Sequence, residues 1–253
     1  MSKLQVSTSH TASSIYAPQT TSNRVLNSLT RSEYERLSPH LERVTLNAGE
    51  VLCRPEEPIT HVYFPNRGVV SLVSVFEGGE MVEVAMVGNE GMFGVCVFLG
   101  SLTTPLLAQV QVPGDGFRMR ADVLKREFAK GGVLQDTLLR YTQAFITQVA
   151  QTAACNRAHT LEGRLAKWLL MCEDRANSKE LQLTHEFISE MLGIRRAGVT
   201  EAANQLRNAG LIHYRRGQVT ITNREGLEAE SCECYPLMKR EFARLVGGNG
   251  HAA

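Results

Sequence analysis

Several features that would mark secretion, catalysis or a membrane are missing from this chain. The six cysteines, Cys53, Cys96, Cys155, Cys172, Cys232 and Cys234, are scattered and form no Cys-x-x-Cys pair. No basic segment followed by an apolar core opens the sequence, so no disulfide framework is expected and the protein is read as cytoplasmic. Residues 91–114 carry no charge, but Gly94, Gly100, Pro105, Pro113, Gln109 and Gln111 interrupt them. Their alternation fits buried strands, and no membrane contact is expected. His61 is the only histidine between residues 41 and 120. That argues against an enzyme built on a His/Glu metal cluster in strands. No Lys or Arg lies between Arg67 and Arg118, and the net charge of the whole chain is only +1. Attraction to nucleic acid must therefore come from local charge.

What is present falls into blocks. Residues 1–23 are rich in Ser and Thr without apolar periodicity and read as a disordered tail. Val25, Leu26, Leu29, Tyr34 and Leu37 space one face of a short helix or two over 24–38. Short apolar runs then recur at 43–46, 51–53, 61–64, 69–76, 81–87, 95–98, 106–112 and 117–120. Turn signals separate them at 47–50, 65–68, 78–79, 88–91 and 113–116. This rhythm predicts an antiparallel β-roll or barrel. Residues 133–159 hold neither Pro nor Gly. Leu134, Leu138, Tyr141, Phe145, Val149 and Thr152 advance there in steps of three and four, close to a heptad seam. That predicts a helix of roughly 40 Å pairing with its twin in a homodimer. An amphipathic helix over 161–176 follows, with Leu165, Trp168, Leu169 and Cys172 on one side. Residues 224–234 read as a closing helix and 247–253 as a loose tail. The expected division is a tail (1–23), a β-roll (24–132), a long dimerisation helix (133–159), a DNA-binding unit (160–246) and a tail (247–253). The fold class is α+β.

The richest stretch is LTHEFISEMLGIRRAGVTEAANQLRNAGLIHYRRGQVTIT, residues 183–222. Thr184 can cap a helix whose first turn carries Glu186, and Phe187, Ile188, Met191 and Leu192 give it an apolar face. Gly193 suits a left-handed stop. A second helix is predicted from about Arg195 to Asn208, with Val199, Ala202, Ala203 and Leu206 as its buried stripe. Strands at 211–214 and 219–222 flank an Arg215-Arg216-Gly217-Gln218 turn. Helix, turn, helix and basic hairpin make a winged helix-turn-helix, which sets the start of its second helix in the DNA major groove. Arg can hold guanine, Asn adenine, and Glu can accept from cytosine, so Arg196, Asn204 and Glu201 are the candidate base readers. Thr200 is placed on a phosphate or a thymine methyl. Arg195, Arg215 and Arg216 are placed on phosphates. Gln205 and Arg207 are further candidates. Five arginines against three glutamates give residues 184–222 a modest +2, which suggests a dimer adding two such surfaces.

The order of β-roll, long helix and winged helix-turn-helix resembles the Crp/Fnr superfamily of bacterial transcription regulators. The resemblance is carried by HVYFPNRGVVSLV (61–73), VEVAMVGNEGMFGV (82–95), LEGRLAKWLL (161–170) and MLGIRRAGVTEAANQLRNAGLI (191–212), and covers about residues 24–235. It implies a cyclic-nucleotide-binding-like effector domain of the double-stranded β-helix type. It also implies a homodimer on double-stranded DNA, and RNA polymerase as a further partner. Cyclic-AMP-binding members carry a Gly-Glu pair after the phosphate-cassette glycine, and then an Arg. The matching stretch here is Phe93-Gly94-Val95-Cys96 followed by Thr103-Thr104-Pro105, with Val95 where the ribose-binding Glu is expected. A phosphate buried without a cation is costly, so cyclic AMP is not expected to bind in the usual way, and the small-molecule effector is left unknown. Oxygen-sensing members hold an iron–sulfur cluster on N-terminal cysteines, and none precedes Cys53. Haem-binding members use His or Cys at varied places, which leaves His61 and Cys96 open. In the second helix the family often has Arg-Glu and then another Arg. This chain has Arg196-Ala197 and Glu201, so its base readout should differ.

Cys232-Glu233-Cys234 invites a redox or metal reading, but two cysteines are too few for a closed zinc site. They are read as half-buried at a helix end, and neither metal nor cofactor is expected. The competing reading is a sensing module whose winged helix contacts protein, against which the exposed arginine pair and basic wing weigh.

Overall fold

Two long strands organise the N-terminal half of the computed structural model, which describes residues 21–247 apart from Asn177. Of the tails expected at 1–23 and 247–253, residues 1–20 and 248–253 lie outside the described residues. Residues 21–23, expected to belong to the first tail, are anchored. Asn23 is fully buried, donates to the carbonyls of Pro65 and Gly91 at 2.8 Å each, and caps helix α1 (Arg24–Asn27) by accepting from Leu26 N. A Ser/Thr-rich composition gives no sign of an amide that bridges two turns. Helix α2 (Arg31–Leu37) starts with a Thr30/Glu33 capping box and leads to the sheet.

Strands β1 (Glu42–Leu46), β2 (Val51–Cys53), β3 (His61–Val75), β4 (Met81–Val87) and β5 (Leu107–Arg120) are antiparallel, in the order β1-β5-β3-β4 with β2 also on β5. The apolar runs at 61–64 and 69–76 are one strand, and those at 106–112 and 117–120 another. The stretches 65–68 and 113–116, expected as turns between strands, are corners within them, where the β3–β5 register slips between Pro65 and Arg67 and again between Arg67 and Val69. At this corner Gly114 lies so close to the Arg67 carbonyl that a Cβ would not fit. Bulges and a bare backbone bend the ribbon into a roll. The run at 95–98, expected as a strand, is a helical turn, α3 (Cys96–Leu99), ended by Gly100 at φ 108°. Val62, Phe64, Val70, Val87, Val110 and Met119 are among the buried side chains that fill the roll.

Helix α4 (Ala121–Phe128) leads into α5 (Val133–Ala158), whose 26 residues span about 39 Å. One face of α5 lies on the roll. The Tyr141 hydroxyl donates to Met92 O, and Gln148 Nε2 donates to Met86 O, each at 3.0 Å. Next come α6 (Leu161–Ala176), β6 (Glu180–Gln182), α7 (His185–Leu192), α8 (Arg196–Asn208), β7 (Ile212–Arg215), β8 (Gln218–Ile221), α9 (Arg224–Glu230) and α10 (Cys234–Val246). A second core built on Trp168, Leu169, Ile188, Met191, Val199 and Val219 holds α6 to β8 together. The closing helix expected at 224–234 ends at Glu230, and α10 was not foreseen. Pro236 reads as a breaker, but it sits in the first turn of α10, where a missing amide costs nothing. Met238, Phe242 and Val246 of α10 join the core of the roll, and the helix lies against α5.

Two buried polar joints link the halves. Arg175 of α6 donates to Glu90 at 2.8 Å and to Gln148 at 3.1 Å, and its guanidinium stands 5.5 Å from the centre of the Phe242 ring. At the second joint Trp168 Nε1 donates to Glu83 at 2.9 Å. Ser71 Oγ lies against both Glu83 and Gln111 Oε1, and Gln111 Nε2 donates to Cys172 Sγ at 2.9 Å. One hydroxyl hydrogen cannot serve two acceptors, and a proton on Glu83 resolves the conflict. Burial pushes that carboxyl up to about 7. Among the described residues no helix is long and apolar enough to cross a membrane.

Candidate nucleic-acid interface

The α7–α8 pair follows from its sequence. Thr184 accepts from Phe187 N at 3.1 Å, and Gly193 ends α7 in the left-handed region at φ 62°. Arg195 precedes α8 and makes no side-chain cap, so the first-turn amides of α8 carry their positive partial charge without a side-chain acceptor from the cap residue. Val199, Ala202, Ala203 and Leu206 are all buried, as their spacing requires. The opposite face brings Arg195, Arg196, Glu201, Gln205 and Arg207 to the surface, with Thr200 and Asn204 half-buried. Arg196 stands 3.7 Å from Glu186, with both side chains more than half exposed. Such a pair is weak and screened, and an incoming phosphate or base can displace it.

Thr200 is less free than its sequence position suggests. Its hydroxyl donates to Arg196 O at 3.1 Å and lies 3.0 Å from His185 Nδ1, which must then carry the hydrogen. The His185 ring stacks on Tyr214 at 4.2 Å, and the Tyr214 hydroxyl donates to Leu183 O at 3.3 Å. Burial, then the nearby Arg196 charge, holds the imidazole below the usual histidine value, so it is neutral at pH 7. His185 therefore ties α7, α8 and the wing into one surface. Sequence reasoning missed it, because a histidine just inside a helix start has no signature of its own.

The wing is a two-residue hairpin. Arg215 pairs with Gln218, and each expected strand shifts by one residue. Arg216 (φ 49°) and Gly217 (φ 79°) both take positive φ, as a type I′ turn requires. Asn or Gly would fill the first position with less strain, and Arg216 costs about 1 kcal/mol there. Arg216→Gly is expected to raise stability by up to about that amount while weakening binding to every duplex and lowering the salt slope by about one. Thermal unfolding beside titrations at several salt concentrations separates the two effects. A variant that binds as well as the parent removes Arg216 from the interface.

The six expected seam residues of α5 divide. Leu134, Leu138 and Tyr141 are at most 1% exposed, in the chain's own core, and Phe145, Val149 and Thr152 are half-buried. The expectation that they meet a partner is thus corrected for the first three: their face of α5 packs on the roll. The outward stripe is Leu139, Gln143, Ile146, Ala150 and Ala153, in steps of four, three, four and three. Leu139 is 47% and Ile146 56% exposed.

A cyclic nucleotide-binding domain model matches residues 43–130, and a Crp-like helix-turn-helix domain model matches residues 163–230. The chain is 25% identical to the global nitrogen regulator of Synechococcus elongatus over 184 residues, 69% of this chain and 83% of that protein. The Nostoc protein of the same name is 25% identical over 186 residues, 70% of this chain and 83% of the relative. The fold also matches solved structures. FixK2 of Bradyrhizobium japonicum superposes with a TM-score of 0.64 at 18% identity, covering 76% of this chain and 98% of that one. The c-di-GMP responsive global regulator CLP of Xanthomonas campestris gives 0.59 at 15% identity, covering 75% and 98%. The two curated relatives and CLP are named as global regulators. With a cyclic nucleotide-binding roll, a long helix and a Crp-like DNA-binding unit in that order, the chain belongs to the Crp/Fnr superfamily of transcription regulators.

Proposed function

We propose that the chain is a homodimeric, sequence-specific transcription regulator of the cytoplasm that grips two DNA half-sites about one helical turn apart. The observation that carries this reading is the outer face of α8. Arg195, Arg196, Glu201, Gln205 and Arg207 stand exposed there, with Asn204 beside them, and the Arg215-Arg216 wing lies at the edge of the same unit. Arg196, Glu201 and Asn204 read bases. Arg195, Arg215 and Arg216 hold phosphates, and Thr200 serves mainly to fix His185. RNA polymerase is the further partner that such a regulator engages.

Each protomer supplies the Leu139–Ile146–Ala153 stripe to the dimer, and the small side chains of Ala150 and Ala153 let two helices approach closely. Residues 24–132 form the sensor, 133–159 the long helix, and the DNA-binding unit begins at residue 160. The sensor does not take cyclic AMP in the usual way. Supporting this, Val95 leads into α3 without a carboxylate, and no cation lies between Arg67 and Arg118. On α5, Arg140 is occupied by Leu245 O at 3.2 Å and Thr137 Oγ1 at 3.3 Å. We assign no effector.

Selection of bound sequences from random duplexes by the purified protein tests the reading. An enriched two-fold-symmetric site with half-sites one turn apart is expected. On that site Arg196→Ala should cost roughly 1–3 kcal/mol and relax one position. No enrichment, or unchanged binding by the variant, overturns the assignment.

A further inference from the structure

Four ligand-type side chains converge where α5 ends. Cys155 sits in the last turn of α5, and His159 is the residue that closes it. Cys232 lies in the α9–α10 connection and Cys234 opens α10, on either side of Glu233. Cys155 Sγ lies 3.6 Å from Cys232 Sγ, and Cys234 Sγ lies 3.5 Å from His159 Nδ1. The four ligand atoms all fall within 4.8 Å of one another, the three thiols buried and the imidazole half-buried. All three cysteines are free. Cysteines 77 residues apart in sequence have been brought to contact, together with a histidine, and none of the four belongs to the α8 face or the wing.

The spacing selects the ligand. A tetrahedral zinc ion about 2.3 Å from sulfur and about 2.05 Å from nitrogen sets its ligands about 3.8 Å apart for two sulfurs and about 3.6 Å apart for sulfur and nitrogen. The two short separations match these values within about 0.2 Å, and the remaining pairs, none beyond 4.8 Å, need to close by at most about 1 Å around the ion. A multi-iron cluster interposes its own sulfides and spreads the cysteine sulfurs farther than this group allows. The surroundings also suit a metal. His159 Nε2 stands 3.0 Å from the Glu233 carboxylate, which turns Nδ1 toward the thiols. A carboxylate behind the imidazole fixes the ring and its tautomer for coordination. Gln151 Nε2 donates to Cys234 Sγ at 3.0 Å, a hydrogen bond that offsets thiolate charge.

We propose that Cys155, His159, Cys232 and Cys234 bind one zinc ion in a closed, four-coordinate site. The three thiols release their protons as the ion enters, and four protein ligands leave no open position, so the ion is structural and performs no chemistry of its own. It fastens the C-terminal end of α5 to the start of α10. The sequence-based reading of Cys232 and Cys234 as an isolated pair is corrected by the two partners that folding delivers.

Metal analysis of the full-length protein, purified without chelators, tests the site. One zinc per chain is expected. Replacement by cobalt(II) should give the visible absorption of a tetrahedral thiolate-bound ion. Cys232→Ser and His159→Ala should reduce bound zinc to background. Glu233→Gln keeps all four ligands and should lower zinc affinity roughly ten- to a hundredfold. The cobalt spectrum of the unaltered chain needs no variant, so a variant that fails to fold leaves the test intact. Protein that holds no zinc and gives no cobalt spectrum overturns the proposal. So does a Cys155–Cys232 disulfide in its place, or a brown iron chromophore. None of these readouts involves DNA, so they stand apart from the fate of the functional assignment.

Discussion

Leu139→Glu combined with Ile146→Glu is expected to leave a folded monomer that no longer holds its operator. Both side chains are about half exposed in the protomer, so charging them removes no contact of its own core. Between two protomers the same glutamates face their copies across a two-fold axis, where desolvation and like charge both oppose association. A monomer grips one half-site. Affinity for the selected sequence should then fall by at least roughly a thousandfold, toward the level of non-specific binding. Light scattering and duplex titration measure the two effects, and an unchanged melting temperature shows that the protomer is intact. Leu138→Glu is the contrast. Leu138 is fully buried beneath the roll, so a charge there should unfold the chain rather than divide a dimer. A double variant that remains dimeric removes the outward stripe of α5 from the interface.

Arg175→Met is expected to cost a large part of the chain's stability. The Arg175 and Glu90 side chains are 8% and 6% exposed; Glu90 Oε1 accepts from Arg175 Nε and from Gly88 N, and Oε2 has no hydrogen-bond partner. Burial works against the guanidinium charge, but Glu90 outweighs it and holds the proton more firmly than usual. Removing the cation leaves a carboxylate buried and unpaired, at a cost of roughly 3–5 kcal/mol. For a chain of this size that lowers the melting temperature by roughly 10 °C. Adding Glu90→Gln should recover most of the loss, because a neutral amide no longer needs the counter-charge. Denaturant unfolding of the two single variants and the double closes the cycle. Additive losses would mean that the two residues act independently.

The parts legible in the sequence were those with a period. Val199, Ala202, Ala203 and Leu206 announced the buried stripe of α8, and the uninterrupted residues 133–159 announced α5 to within one residue of its end. Periodicity left the two faces of α5 undecided. The helix has an apolar stripe on each side, one for its own roll and one facing out, and spacing alone does not say which is which. The corners at Pro65–Gly68 and Pro113–Gly116 misled for a related reason. Pro and Gly mark a bend, but a bend in a continuous strand and a turn between two strands use the same residues. His185 and the Cys155–Cys232 contact lay beyond reach because their meaning depends on chain segments far away in sequence.

The return of α10 to α5 has a mechanical consequence. The DNA-binding unit leaves the long helix through α6 and comes back to it through α10, and between these points α6 and α7 rest on the roll. A body held only where it joins its support can swivel freely. One that is also seated on a second surface has to break that seat before it turns. Any swing of the winged unit against the roll must therefore give up the Arg175–Glu90 and Trp168–Glu83 contacts, which act as a latch on its position.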